Sequence, residues 1–248
     1  MKPPMARLDR LLANLGYGSR REVHALVRDG RVVLDGGVLK DAGAKVAIAA
    51  DLPKRLTING IGVDPPAPLT LIMHKPLGVV CSHKEAGRSV YELLPSRWRA
   101  RMPGLSSIGR LDKETSGLLL ITDDGPLLHR VISPKSHVVK RYLTTLDRPL
   151  SGAEVEIFAA GNLMLDSETE PLAPAVLEPL SETTAWLTIT EGRYHQVRRM
   201  FAAVGNYVTA LHRDRIGGLV LPDDLQVGSW KILDDVGLRA IFDAGPKS

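Results

Sequence analysis

The sequence predicts an α+β protein in two parts: a small basic α/β module over about residues 1–60 and a larger mixed body over 71–248, joined by a linker at 61–70. Three observations carry this. The chain has 248 residues, enough for a large domain with a small one attached. Its charge is uneven: residues 1–60 hold 11 Lys+Arg against 6 Asp+Glu, whereas residues 61–248 hold 21 against 22. In the larger part, strand-like and helix-like runs follow one another without regular βαβ order, the pattern of an α+β rather than a doubly wound fold.

The elements follow in chain order. In RLDRLLANL, leucines at 8, 11, 12 and 15 have the spacing of a helix stripe, and Gly16 stops it. Ser19 with Glu22 three residues on is a capping box, so a second helix starts there. Val23, Leu26 and Val27 give it a buried face, while Arg20, His24 and Arg28, four apart, line another. Arg21 and Arg31 add charge nearby, and Gly30 ends the helix. Short strands around an Asp-Gly turn follow. Residues 51–70 contain four prolines and little periodicity, which reads as a linker.

From Leu71 onward, LIMHKPLGVVCS reads as strand, turn and strand, and GLLLITDD as a strand buried on both faces. GPLLHRVISP is a short helix ended by Pro134, and VVKRYLTTL alternates as a strand. LSGAEVEIFAAG is helical, AVLEPL and TAWLTIT are strands, HQVRRMFAAVG is a helix closed by Gly205, and YVTALHRDRIGGLVL returns to strands.

Composition excludes several classes. No apolar run approaches the ~18–20 residues of a membrane span, and MKPPMARLDR has no apolar core behind its lysine, so no signal peptide and a cytoplasmic location are expected. A lone cysteine, Cys81, rules out an internal disulfide and a cysteine-rich zinc site. It lies in an apolar strand and reads as buried core. A Ser/His hydrolase is disfavoured: there is no G-x-S-x-G, and Ser116 is expected in a turn without a partnered base.

The most informative stretch is GRLDKETSGLLLITDDG. Asp112 sits in a turn before a buried strand, where a rigid scaffold can aim it into a cleft. A partly buried carboxylate needs a cation, and Arg110 and Arg198 are the candidates. The triplet Asp123-Asp124-Gly125 reads as a chain reversal.

The first sixty residues, through RLDRLLANLGYGSRREVHALVRDGRVVLDG, resemble the S4 domain, a small RNA-binding module first recognised in a ribosomal small-subunit protein. The resemblance implies RNA contacts from Arg7, Arg20, Arg21, His24, Arg28 and Arg31. GRLDKETSGLLLITDDG, HKPLGVVCS, ISPKSHVVKRYLTTL and LTITEGRYHQVRRMFAAVGNYVTALHRDRIGGLVL resemble the blocks of RsuA-type RNA pseudouridine synthases, in the family's order along the chain. Together the two likenesses cover nearly the whole chain and look nearest to enzymes that modify one uridine of 16S rRNA.

The resemblance implies a central mixed, mainly antiparallel sheet crossed by a cleft. It makes Asp112 the catalytic carboxylate, by attack on ribose C1′, attack on base C6, or removal of a ribose proton. It sets Tyr142 against the uracil, pairs Arg198 with Asp112, and has Arg110 fill the gap left by a flipped nucleotide. Leu187 is expected on the uracil's other side, His195 and Gln196 as positioning groups, and Arg213 and Arg215, with His212, as an RNA-facing patch. Isomerisation needs no outside donor, so no cofactor or metal is expected. The expected partner of this monomer is ribosomal RNA, 16S in an assembling small subunit. A synthase acting on 23S rRNA and a non-catalytic assembly factor are the alternatives.

Overall fold

In the computed structural model, which describes residues 3–82 and 85–243, the chain folds as two units. The first comprises the chain up to Leu69 together with Leu94–Ser106 and Thr122–Asp124. Its elements are β1 (Met5–Arg7), α1 (Leu8–Asn14), α2 (Arg20–Arg28), β2 (Val32–Leu34), β3 (Gly37–Val38), β4 (Lys45–Ala47), α3 (Leu52–Arg55), β5 (Leu56–Ile58) and β6 (Ile61–Gly62). The capping box forms as expected: the Glu22 amide donates to Ser19 Oγ at 3.3 Å, and the Ser19 amide to the Glu22 carboxylate at 2.7 Å. Asp35 and Gly36 both have positive φ, the geometry of a tight hairpin turn between β2 and β3. Leu8, Leu12, Val23, Val27, Val32, Leu52 and Leu56 close a small core.

The stretch expected as linker is partly structured. β5 pairs antiparallel with β2, and β6 with β5, in a four-stranded sheet of order β3-β2-β5-β6. Leu56 and Ile58 supply the alternation that buries one face. Asp64 takes a bidentate pair from Arg97 at 2.7 and 2.8 Å. Asp123 does more than turn the chain: it is buried, accepts from the Leu69 amide at 2.6 Å and pairs with buried Arg101 at 3.0 Å.

The second unit is built on β7 (Thr70–Lys75), β8 (Ser106–Ile108), β9 (Ser116–Thr122), α4 (Gly125–Ile132), β10 (Lys140–Leu146), α5 (Ala153–Ala159), β11 (Val176–Pro179), β12 (Thr184–Ile189), α6 (Gln196–Ala203), β13 (Val208–Ile216), β14 (Leu219–Val220), β15 (Trp230–Ile232) and α7 (Asp235–Ala240). Its main sheet runs β11-β12-β10-β13-β9-β7-β15, with β8 on β9 and β14 on β13. The pairing is mixed and mostly antiparallel; β13 against β9 is parallel. Leu118, Leu119, Leu120 and Ile121 are all fully buried, as a strand covered on both faces requires. The second strand expected through Val79–Cys81 is reduced to a single bridge, Val80 with Ser89. Among the described residues no helix is long and apolar enough to cross a membrane.

Candidate active site

Asp112 lies in the turn between β8 and β9, and three features hold that turn. The Thr115 amide donates to the Asp112 main-chain oxygen at 3.0 Å. Gly117, at φ +109°, lets β9 meet β13 closely: a Cβ there would collide with the Arg213 carbonyl oxygen. Beneath the turn, wholly buried Lys75 spends its ammonium on main-chain oxygens, at 3.0 Å from Asp112, 2.8 Å from Thr115 and 3.0 Å from Pro76. Burial holds the Lys75 ammonium below its ordinary range. Lys75, which supports the Asp112 turn, was not among the expected site residues, although the sequence placed it in a turn and within the family-like block HKPLGVVCS.

The Asp112 carboxylate opens into a cleft of about 830 Å³, mouth included. Lining it are Arg110, Asp112 and Thr115 from the turn, Lys140 and Tyr142 from β10, Ile189 from β12, Arg193, His195, Gln196 and Arg198 around the start of α6, and Leu211, Arg213 and Ile216 from β13. The cleft thus brings together Asp112, Tyr142, Arg198, Arg110, His195, Gln196 and Arg213. Arg110 is exposed, with Glu85 at 3.5 Å. Cys81 is buried as expected; its sulfur accepts from the Leu111 amide at 3.5 Å, and burial pushes the thiol up.

Several expected contacts are corrected. Arg198 does not pair with Asp112. Its guanidinium donates at 2.8 Å to the Val208 oxygen and at 2.8 Å to the Glu114 oxygen, so it ties the Asp112 turn to the start of β13. Among the described residues, the side chain that meets the Asp112 carboxylate is His195, with Nε2 3.4 Å from Oδ1. His195 has left-handed backbone at the start of α6 and stacks on exposed Tyr194 at 4.0 Å between centroids. Gln196, the first residue of α6, is buried and holds the preceding loop, accepting from the Arg193 amide at 2.9 Å and donating to Glu191 at 2.8 Å.

Leu187 is not opposite Tyr142. It is Tyr142's cross-strand partner, so the two side chains stand side by side on one face, and Leu187 is wholly buried. Nor do Arg213, Arg215 and His212 form a patch. A register shift pairs Tyr142 with Arg213 but Arg141 with Arg215, so the two arginines, two apart in sequence, fall on opposite faces. Arg213 is 3% exposed in the cleft wall. His212 takes the face away from the cleft and bonds Ser116 Oγ through Nδ1 at 2.9 Å. Ser116 therefore begins a strand and does have a histidine partner, but neither residue lines the cleft.

Arg213 reaches Leu118 O through Nε at 2.8 Å and the Tyr142 hydroxyl through Nη1 at 3.3 Å. Its Nη2 is buried without a partner. Lys140, on the same strand face as Tyr142, is held down to about 8, first by burial and then by the charge of Arg213. Lys140 also lines the cleft and was not among the expected site residues, although its i, i+2 spacing from Tyr142 puts it on the same strand face. Among the described residues, no three His, Cys, Asp or Glu side chains are grouped to hold a metal ion.

In the first unit, Arg20, Arg21, His24, Arg28 and Arg31 are accessible, and Arg21, His24 and Arg28 border one groove with Lys40. Arg7 is committed to buried Asp9 through two bonds at 3.1 and 2.9 Å.

A carboxylate turn facing an aromatic and several cations across a mixed sheet, in a chain that also carries a basic helical module, fits an enzyme that acts on RNA. Residues 70–203 match the family described as RNA pseudouridylate synthase, and residues 6–51 match the S4 domain. The chain belongs to the RNA pseudouridylate synthase family and is an isomerase. It is 39% identical over 242 residues to the ribosomal small subunit pseudouridine synthase A of Escherichia coli strain K12, covering 95% of this chain and 99% of the relative. The protein of the same name from Vibrio cholerae is 39% identical over 240 residues, with the same coverage. A solved pseudouridylate synthase crystal structure superposes with a TM-score of 0.66 at 35% identity, covering 95% of this chain and 99% of that one.

Proposed function

We propose that the protein isomerises one uridine of 16S rRNA to pseudouridine, as a cytoplasmic monomer acting on the assembling small subunit. The observation that carries this is the near full-length likeness to relatives named for the small ribosomal subunit, together with the cleft that holds Asp112 and Tyr142. Residues 1–60 serve as the RNA-binding domain, with 61–69 belonging to the same unit, and the second unit serves as the catalytic domain. Arg20, Arg21, His24, Arg28 and Arg31 meet phosphates, with Arg7 beside them. Arg110, exposed at the mouth, fills the space a flipped nucleotide leaves.

In the cleft, the uracil lies against Tyr142 and the ribose faces Asp112. The glycosidic bond breaks, the base turns, and it rejoins through C5. His195 and Gln196 shape the loop around the carboxylate. Arg198 holds the Asp112 turn through the Glu114 oxygen, a positioning role.

The test maps pseudouridines by carbodiimide adduct stops in both large rRNAs from cells with the wild-type gene, a deletion, and the deletion complemented with Asp112→Asn. One 16S stop present only with wild type is expected. The same pattern in 23S rRNA would move the substrate, and identical maps in all three strains would overturn the proposal.

A further inference from the structure

Of the cations lining the cleft, most have partners that account for them. Arg193 pairs with Glu168 and Glu191 at 3.2 Å each, and Arg110 reaches Glu85. Arg198 is spent on two carbonyls. Lys140 and Arg213 differ. Neither has a carboxylate within 4 Å among the described residues, and the Lys140 ammonium makes no hydrogen bond there. Arg213 is almost wholly buried with Nη2 unpartnered, and the two charges repel one another. Lys140 is half-buried beside buried Arg213. Among the described residues, the one carboxylate whose charge favours its ammonium, Glu191, lies beyond ion-pair distance and is already bonded to Arg193 and Gln196. This pair of like charges is therefore poorly compensated and costly. A fold tolerates that cost where an anionic group arrives to offset it, as in sites that stabilise developing negative charge.

We infer that Lys140 and Arg213 form an anion site for the departing uracil, receiving its carbonyl oxygens as the base leaves the ribose. This rests on the proposal that the target uridine enters this cleft. The position fits the base rather than the backbone: Lys140 is on the same strand face as Tyr142, and Arg213 already bonds the Tyr142 hydroxyl at 3.3 Å. The chemistry supplies the anion. The C1′–N1 bond breaks with its electron pair left on N1, and the charge spreads to the two carbonyl oxygens, O2 and O4. The electron-poor ribose is met by the Asp112 carboxylate, through attack or proton removal. Rejoining forms C1′–C5, and the proton lost from C5 is matched by one gained at N1, so nothing is consumed from outside.

The experiment uses the full-length protein with 16S rRNA, both free and in assembling small-subunit particles from a strain lacking the gene, and measures single-turnover rate and RNA Kd separately. Lys140→Gln is expected to slow the rate at saturating RNA about 100-fold, while the Kd changes less than about threefold. Lys140→Arg, which keeps the charge, is expected to recover all but about tenfold of it. Arg213→Gln should behave like Lys140→Gln, with its melting temperature measured alongside because Arg213 also anchors the Leu118 oxygen. Wild-type turnover with an unchanged Lys140→Gln rate overturns the anion site and leaves the proposed function standing. A loss confined to Kd, with a shallower salt slope, assigns Lys140 to a phosphate and also overturns it. A wild-type protein that forms no pseudouridine in any rRNA overturns the proposed function and this site with it.

Discussion

The ammonium of Lys75 stands 3.0 Å from the main-chain oxygen of Asp112, beneath the turn that presents the carboxylate. Its charge is met by peptide dipoles, with no ion pair to a carboxylate among the described residues. Lys75→Met would leave those oxygens unsatisfied in a dry site, a loss of about 3 kcal/mol. Urea unfolding should show that loss, and residual activity should fall further than stability explains, because the Asp112 turn loses its support.

Arg198 bridges the Glu114 and Val208 oxygens. Arg198→Met is expected to cut the single-turnover rate on the order of 100-fold through misplacement of the Asp112 turn, with little change in RNA Kd. Arg198→Lys keeps one of the two bonds and should lose less. A rise in Kd with an unchanged rate would show that Arg198 binds RNA instead.

Gly117 admits no side chain. Its φ of +109° and the Arg213 oxygen standing where a methyl group would go make Gly117→Ala destabilising by about 3 kcal/mol. Thermal unfolding of the variant against wild type measures this directly.

Lys140 links stability to alkaline pH. Its folded value is about 8 against an ordinary 10.5, so between those values the unfolded chain binds more protons than the folded one. Stability from this group therefore rises with pH across that window, and the penalty is complete below 8. Lys140→Met should stabilise the fold at pH 7 by on the order of 1 kcal/mol. The gain should vanish toward pH 10.5 in paired urea titrations.

Asp9 stabilises the fold where Lys140 penalises it, although both contributions rise with pH because both folded values are lowered. Hydrogen bonds from Arg7 lead in holding its carboxyl down to about 2, against the opposing effect of burial. Its contribution is present above the ordinary value of 3.8 and is lost as pH falls through about 2. Asp9→Asn should melt earlier than wild type at about pH 6, and the two should converge near pH 2.

The parts of the fold that were legible in the sequence are those set by local chemistry. Ser19 and Glu22 are three apart and cap α2 by themselves, and Leu118–Ile121 announce a strand buried on both faces. β5 was hidden because three residues, flanked by prolines, gain their structure only from pairing with β2. The site was legible as a set of residues, since Asp112, Tyr142 and Arg198 do share one cleft. Their contacts were not. One extra residue near Asp214 separates Arg213 from Arg215, and a shift of that kind leaves no mark in a strand's composition.

Three of the cations around Asp112 are seated on main-chain oxygens: Lys75 on the turn, Arg198 on Glu114 and Val208, Arg213 on Leu118. Carbonyl oxygens are common to every residue type. Side chains at Glu114, Val208 and Leu118 can therefore be exchanged without removing the acceptors that aim these charges. The electrostatic layout is written into the course of the backbone, and it tolerates drift in the surrounding sequence so long as the strands keep their register.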